Sequence, residues 1–439
     1  MYVRLLLTLT LLLLAVPSAL GQGSERISVA ILRYGSLDFA GMQEYAILDI
    51  LQVYGWISAD ERALLSGRQD FQGEKVSIIW GDANYDLPTV NLMIDEALDK
   101  GADILVTLST PVTQIAVNTT LDQDVPTPVL FSAVFDAFRA GIADAHCIKP
   151  DHVTGSQNAP PYHEALRLFL LQNPEMKRVG TIYSLTDASG AAGAEDIQQL
   201  GQALGLTVES AAVAGVSDLR AATQGLVNKG VEALILPFDS TIAIGLPIIV
   251  TVATENMIPT FKAASGSIFQ GATIGAGFYQ YYVQGINVGL MLAAWLNGEL
   301  DIARTAIDSN SSYMVSVNHD IAGELGMEIN EDVVEMADVV VQDDMVSVSP
   351  RVALEQLEAM GADDATKQMA LSFTSEQSVE VMVDLMRNGR QLPAQLADFL
   401  IRGRRADPFM ATDAAFLQSL HCSDEKVAEQ QAALDAAEE

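Results

Sequence analysis

Along most of the chain, short unbroken runs of β-branched and aliphatic residues alternate with longer stretches in which apolar side chains return every three or four positions. ISVAIL (27–32) reads as a strand and FAGMQEYAILDILQVYGW (39–56) as a helix, and KVSIIW (75–80) with LPTVNLMIDEALDKG (87–101) repeats the unit. ADILVTL followed by PVTQIAVNT makes a third unit, and TPVLFSAV (127–134) opens a fourth. This βαβα order predicts a parallel sheet with helices on both faces. A turn-rich connection, AHCIKPDHVTGSQNAPP (145–161), follows, and the rhythm then restarts. RVGTIY (178–183), LTVESAAV (206–213) and VEALILPF (231–238) are strands separated by helical stretches, which predicts a second doubly wound lobe. GATIGAGFYQYYVQGINVGLMLAAWLNG (271–298) carries a strand and a long helix, and SSYMVSVN with AGELGMEI adds one more of each. Beyond about residue 342 the pattern turns helical without strands and closes on an Ala/Glu-rich end, so 345–439 reads as a helical acidic extension.

The length, 439 residues, is too great for one compact core and agrees with two lobes. At the amino end, a basic Arg4, a short Leu-rich run and Ala19-Leu20-Gly21 have the layout of a cleaved export leader, residues 1–21, ending near Gly21. No cysteine follows that run, so a lipid anchor of the usual bacterial kind is not expected. Asp and Glu outnumber Lys and Arg by 57 to 24, which argues against nucleic acid and anionic membranes as partners, since both select a basic surface. The two cysteines, Cys147 and Cys422, are able to bridge in an oxidising compartment, but sequence alone leaves open whether they meet.

In an open parallel sheet, ligands bind where the carboxyl ends of the strands feed helix N-termini, so only those loops are candidates. They supply Tyr34 and Ser36 after the first strand, Trp80 after the second, Ser109 and Thr110 after the third, and Asp136 after the fourth. The second lobe adds Ser184 and Asp187, then Asp239, with Tyr281 as a further aromatic. The Ser109-Thr110-Pro111 corner is the most informative. A helix N-terminus offers unpaired N–H groups and partial positive charge, and Pro111 starts the helix without losing a hydrogen bond. A carboxylate suits that corner, and an ammonium would turn to Asp136 or Asp239 across a cleft. Plain helix capping explains each of these residues singly. Only their shared position at the ligand edge favours a site. No phosphate-binding GxxxxGK[ST] loop and no GxSxG elbow occurs, and HCIKPDH has too few ligands for a zinc site, so neither a catalytic residue, a metal nor a cofactor is expected.

Several stretches together resemble the ABC-transporter substrate-binding proteins of the TrpX-like group, which have the type I periplasmic binding protein fold. They are LSTPVTQIA, TPVLFSAVFDAFRAG, VTG at 153–155, RVGTIYS, EALILPFDST, IPTF, GATIGAGFYQYYVQGINVGLMLAAWLNGE and VNHDIAGELGMEI, in the family's order from about residue 27 to 341. The resemblance implies two α/β lobes, 24–145 with 272–308 and 150–265 with 312–341, joined by crossings near 145–156, 263–272 and 306–314. It also implies a periplasmic protein that closes on a small ligand, an aromatic or hydrophobic amino acid or related carboxylate, and hands it to a membrane permease. A sensor subunit that reports to a membrane kinase is the alternative. The chain departs from the family in its first loop, RYGSLDFAG, in Ala137 where a proline follows the Asp136 position, and in Ser240 after Asp239.

Overall fold

The computed structural model describes residues 26–349 except 37, 279, 311 and 312, together with 354, 355, 358 and 411–438. The expected leader, residues 1–21, and most of the expected extension therefore lie outside the described residues. Among the described residues the strands form two sheets. The first contains β1 (Ile27–Arg33), β2 (Phe71–Gln72), β3 (Val76–Asp82), β4 (Ile104–Leu108), β5 (Val129–Val134), β6 (Val153–Gln157) and β12 (Asp308–Ser309), in the order β12-β6-β5-β4-β1-β3-β2. Only β2 runs antiparallel to its neighbour. Helices cover both faces, so β4 and β5 are buried at every position, which is why their sequences are apolar runs and do not alternate.

The second sheet contains β7 (Arg178–Ser184), β8 (Thr207–Val213), β9 (Ala233–Leu236), β10 (Thr260–Lys262), β11 (Ile274–Phe278), β13 (Tyr313–Asn318), β14 (Val339–Gln342) and β15 (Met345–Val348). Its order is β15-β14-β13-β11-β10-β9-β7-β8. The doubly wound two-lobe architecture read from the sequence is the one observed. Its details differ in three places. VTGSQ at 153–157 is a buried strand of the first sheet, and β11 belongs to the second, so the crossings lie after Gln157, between Phe278 and Tyr281, and between Ser309 and Tyr313. They fall later than the expected 145–156 and 263–272, because polar β6 has no apolar run to announce it. The third difference is that Met345–Val348 is not helical but pairs as a hairpin with β14.

The crossings lie side by side. Asn310 donates its backbone N–H to Gln157 O (3.1 Å) and its side-chain Nδ2 to Gln280 Oε1 (3.0 Å). After the second crossing the helix Tyr281–Leu296 returns to the first lobe and packs on the helix Asp38–Val53. Glycines make this close approach possible: a Cβ at Gly285 would stand 2.5 Å from Gln43 O, and one at Gly289 would stand 2.8 Å from Ile50 Cβ.

The carboxyl-terminal helices Ala411–Ser419 and Asp424–Glu438 are docked on the first lobe. Cys147 and Cys422 form a disulfide with a Cα–Cα distance of 5.7 Å. Tyr54 Oη donates to Asp413 (2.6 Å), Ala306 N to Leu420 O (2.7 Å) and Cys422 N to Arg304 O (2.8 Å). Phe416 and Leu417 join the apolar core.

Candidate functional site

Loops at the carboxyl ends of the two sheets meet, through Ser189 and Thr110 and through Phe135 and Phe238. Ser109 and Thr110 open the helix Thr110–Leu121 and are fully buried. Ser109 has φ 111° and ψ 155°, a conformation that disfavours any side chain and costs roughly 1–3 kcal/mol. Its hydroxyl makes no capping bond and has no partner, although it is buried. Thr110 Oγ1 accepts a hydrogen bond from Ser189 Oγ of the second lobe at 3.1 Å. Next to this corner Asn158, also fully buried, has both Oδ1 and Nδ2 unpartnered. Asn158 and Ser109 are linked through β5: Ser109 N donates to Ser132 O (3.2 Å) and Asn158 N to Val134 O (3.1 Å). Buried polar atoms are nearly always satisfied, so these unanswered atoms ask for an explanation.

The second lobe answers with two carboxylates. Asp187 precedes the helix Ala188–Ala203, and its oxygens accept from Ser189 N (3.1 Å), Gly190 N (3.2 Å) and Ser240 N (3.0 Å). Asp239 precedes the helix Ser240–Glu255 and accepts from Ile242 N (3.0 Å) and Ser184 N (2.7 Å). Each acid caps its own helix and also reaches the neighbouring loop, so the pair ties the rim together. Burial pushes the Asp239 carboxyl up to about 7, with the Asp187 charge adding to the effect. Burial raises Asp187 as well. The Ser184 hydroxyl pairs with Thr186 Oγ1 at 2.7 Å. Lys262, which closes β10, stands near both acids; burial brings its ammonium down to about 8.

Tyr34 belongs to this group. It is 5% exposed, and its hydroxyl is pushed up to about 12, first by burial and then by the negative charges of Asp187, Asp86 and Asp239. Phe135 and Phe238 meet across the gap with ring centroids 3.7 Å apart. Tyr281 is buried in the same apolar cluster, edge-on to Phe278 at 5.1 Å. At the mouth, Arg139 reaches from the first lobe to Asp196 (2.7 Å) and Glu195 (2.8 Å).

Three expected residues lie apart from this set. Trp80 is two residues short of the end of β3, and its indole packs against the core on one face of the first sheet, with Nε1 buried and unpartnered. Ser36 is exposed and accepts from Arg33 Nη2 at 3.3 Å. Asp136 is half-buried and caps its own turn, accepting from Phe138 N (3.1 Å) and Arg139 N (2.9 Å); burial raises its carboxyl. The sequence reading missed Asn158, Lys262 and the Phe135–Phe238 pair. The signal for Lys262 was its place after IPTF, but a strand of three residues is too short for the hydrophobic pattern to register.

The family model for ABC transporter substrate binding proteins matches residues 66–341. This chain belongs to that family. The binding protein is 26% identical over 258 residues to the tyrosine-binding protein of Clostridioides difficile (strain R20291), covering 58% of this chain and 72% of the relative. Among solved structures it resembles an ABC domain in complex with L-Trp from Streptococcus pneumonia, with TM-score 0.64 and 24% identity over 72% of this chain and all of the other. A conserved domain protein from Vibrio cholerae gives TM-score 0.62 at 21% identity, again over 72% and 100%. Substrate-binding proteins of ABC transporters take small ligands and are extracytoplasmic. No helix among the described residues of this binding protein is long and apolar enough to cross a membrane.

Proposed function

We propose that this binding protein captures an amino acid or a closely related carboxylate between its lobes and delivers it to a membrane permease. One observation supports the reading: among the described residues the buried Ser109 hydroxyl at a helix N-terminus has no partner, and its neighbour Thr110 takes a hydrogen bond from Ser189, which in turn donates to Asp187. The ligand carboxylate takes the Ser109 hydroxyl and the free amides of the first helical turn, where the dipole favours negative charge. Its ammonium turns to the acid pair, and an apolar side chain lies against Phe135 and Phe238. The ligands named for the relatives, tyrosine and L-Trp, agree with such a site. Opening and closing about the three adjacent crossings is driven by contacts that only the closed form offers to the ligand. Charge-assisted hydrogen bonds worth about 1.5–3 kcal/mol each, at the two ends of the ligand, bring micromolar affinity, about 8 kcal/mol, within reach once apolar burial is added.

Isothermal titration against the protein amino acids is the test. One member of the panel binds the wild type, and Ser109→Ala and Asp239→Asn each weaken it at least tenfold. Wild-type affinity in both variants would remove the site assignment.

A further inference from the structure

Among the described residues the buried Arg62 has a counter-ion, whereas Lys149 and Lys262 each donate to a backbone carbonyl and have no ion pair. Arg62, 4% exposed, donates to Asp49 at 2.7 Å, and Tyr282 Oη supports the same carboxylate. Lys262 is 2% exposed, yet its ammonium donates to Pro237 O at 3.0 Å and has no ion-pair partner within 4.0 Å among the described residues. The neighbouring acids Asp239 and Asp187 stabilise its charge through space without touching it. Both oxygens of Asp187 and both of Asp239 are already held by backbone N–H groups. The ammonium also stands 5.8 Å from the centroid of the Phe238 ring, the same ring that meets Phe135. An ammonium in that position keeps donors in hand at the carboxyl end of a strand of the second sheet. Burial depresses its pKa, and the charges of Asp239 and Asp187 offset part of that effect.

We propose that Lys262 is an anion anchor in the cleft, pairing on closure with a carboxylate of the bound ligand that reaches the second lobe. The inference rests on the functional reading above in taking an amino acid or related carboxylate as the guest between the lobes; the second source below reverses the orientation given there. Two sources supply the same chemistry: the side-chain carboxylate of an acidic amino acid, and the main carboxylate of an amino acid lying the other way round.

The experiment is titration of wild type and Lys262→Met with tyrosine, tryptophan, glutamate, glutamine, phenylacetate and glutarate. Melting curves check that the variant is folded. If the side-chain carboxylate is the partner, wild type prefers glutamate to glutamine at least tenfold and Lys262→Met abolishes the preference. If the main carboxylate is the partner, Lys262→Met weakens every acid that binds wild type at least tenfold, glutamine and tyrosine included. Dissociation constants within twofold between the two proteins overturn the proposal, making Lys262 a counter-charge for the acid pair. Wild-type protein alone gives a second check, since binding none of the six overturns it too. The two readings fail separately. Amino acids bound equally by both proteins remove Lys262 and keep the amino-acid site, whereas phenylacetate or glutarate bound in place of amino acids, with loss in Lys262→Met, does the reverse.

Discussion

Gly190 and Gly225 both lie in helices of the second lobe, yet replacing each with alanine has opposite consequences. A Cβ on Gly190 would stand 2.0 Å from Asp239 Oδ2 and 2.6 Å from its Cγ, whereas one on Gly225 meets nothing within 4 Å. Gly225 is exposed, so Gly225→Ala gains only helix propensity, about 0.8–1 kcal/mol. In Gly190→Ala the Asp239 carboxylate moves and its 2.7 Å bond from Ser184 N is lost. A charge-assisted hydrogen bond lost from a buried amide costs about 1.5–3 kcal/mol. Overpacking adds about 1–3 kcal/mol. Less the propensity gain, the net loss is about 2–5 kcal/mol, or roughly thirty- to several thousand-fold at 1.4 kcal/mol per decade. Tryptophan fluorescence is the wrong assay, because Trp56, Trp80 and Trp295 all belong to the first lobe or the helix packed on it. Hydrogen exchange read by mass spectrometry over Arg178–Ser184 and Ala188–Ala203 reports the second lobe directly. Gly190→Ala accelerates exchange there and Gly225→Ala does not. Equal protection in the two variants would refute the claim that the acid pair locks this rim.

Four other measurements follow from the structure. Asp239 is held up to about 7 against an ordinary 3.8, so its contribution to folding stability is fully present below about pH 4 and is lost as pH rises through about 7; Asp239→Asn flattens that slope in urea titrations. An ammonium ligand selects the ionised form, so ligand affinity rises from pH 5 to 8 and levels off above about 7, a dependence that the same variant removes. Arg139 is 38% exposed and bridges the lobes at the surface, so Arg139→Ala costs about 0.5–1 kcal/mol and weakens ligand binding two- to fivefold in calorimetry, with the effect shrinking at high salt. Reducing the Cys147–Cys422 bond frees a segment otherwise held to the first lobe by a few hydrogen bonds, so limited proteolysis cuts within 411–438 faster while the two lobes keep their fragment pattern.

The period of the hydrophobic pattern determined the two-lobe fold. Strands buried on both faces are forced to be apolar runs, and helices on a sheet are forced to be amphipathic, so both are visible in one dimension. The same physics hid β6 and β10. VTGSQ is buried, but its hydrogen-bonding groups are satisfied by neighbours far along the chain: Thr154 Oγ1 donates to Thr305 O and Ser156 Oγ to Asp308. A segment whose polar groups find partners in tertiary structure looks like a loop in sequence. The rim loops were legible by the same rule, because the topology of an open parallel sheet fixes where they are. What those loops do with their charges was not. Asp239 read as a cap and Asp187 as a separate rim residue, and only folding brings Ser240 N onto Asp187 and Ser184 N onto Asp239, across 53 and 55 residues. Whether Cys147 meets Cys422, whether Ser109 keeps a free hydroxyl, and whether Lys262 keeps an unanswered charge are also matters of distance between remote segments. Local periodicity records what a residue is buried against on average, and the partner of a single polar atom is decided only when the chain closes on itself.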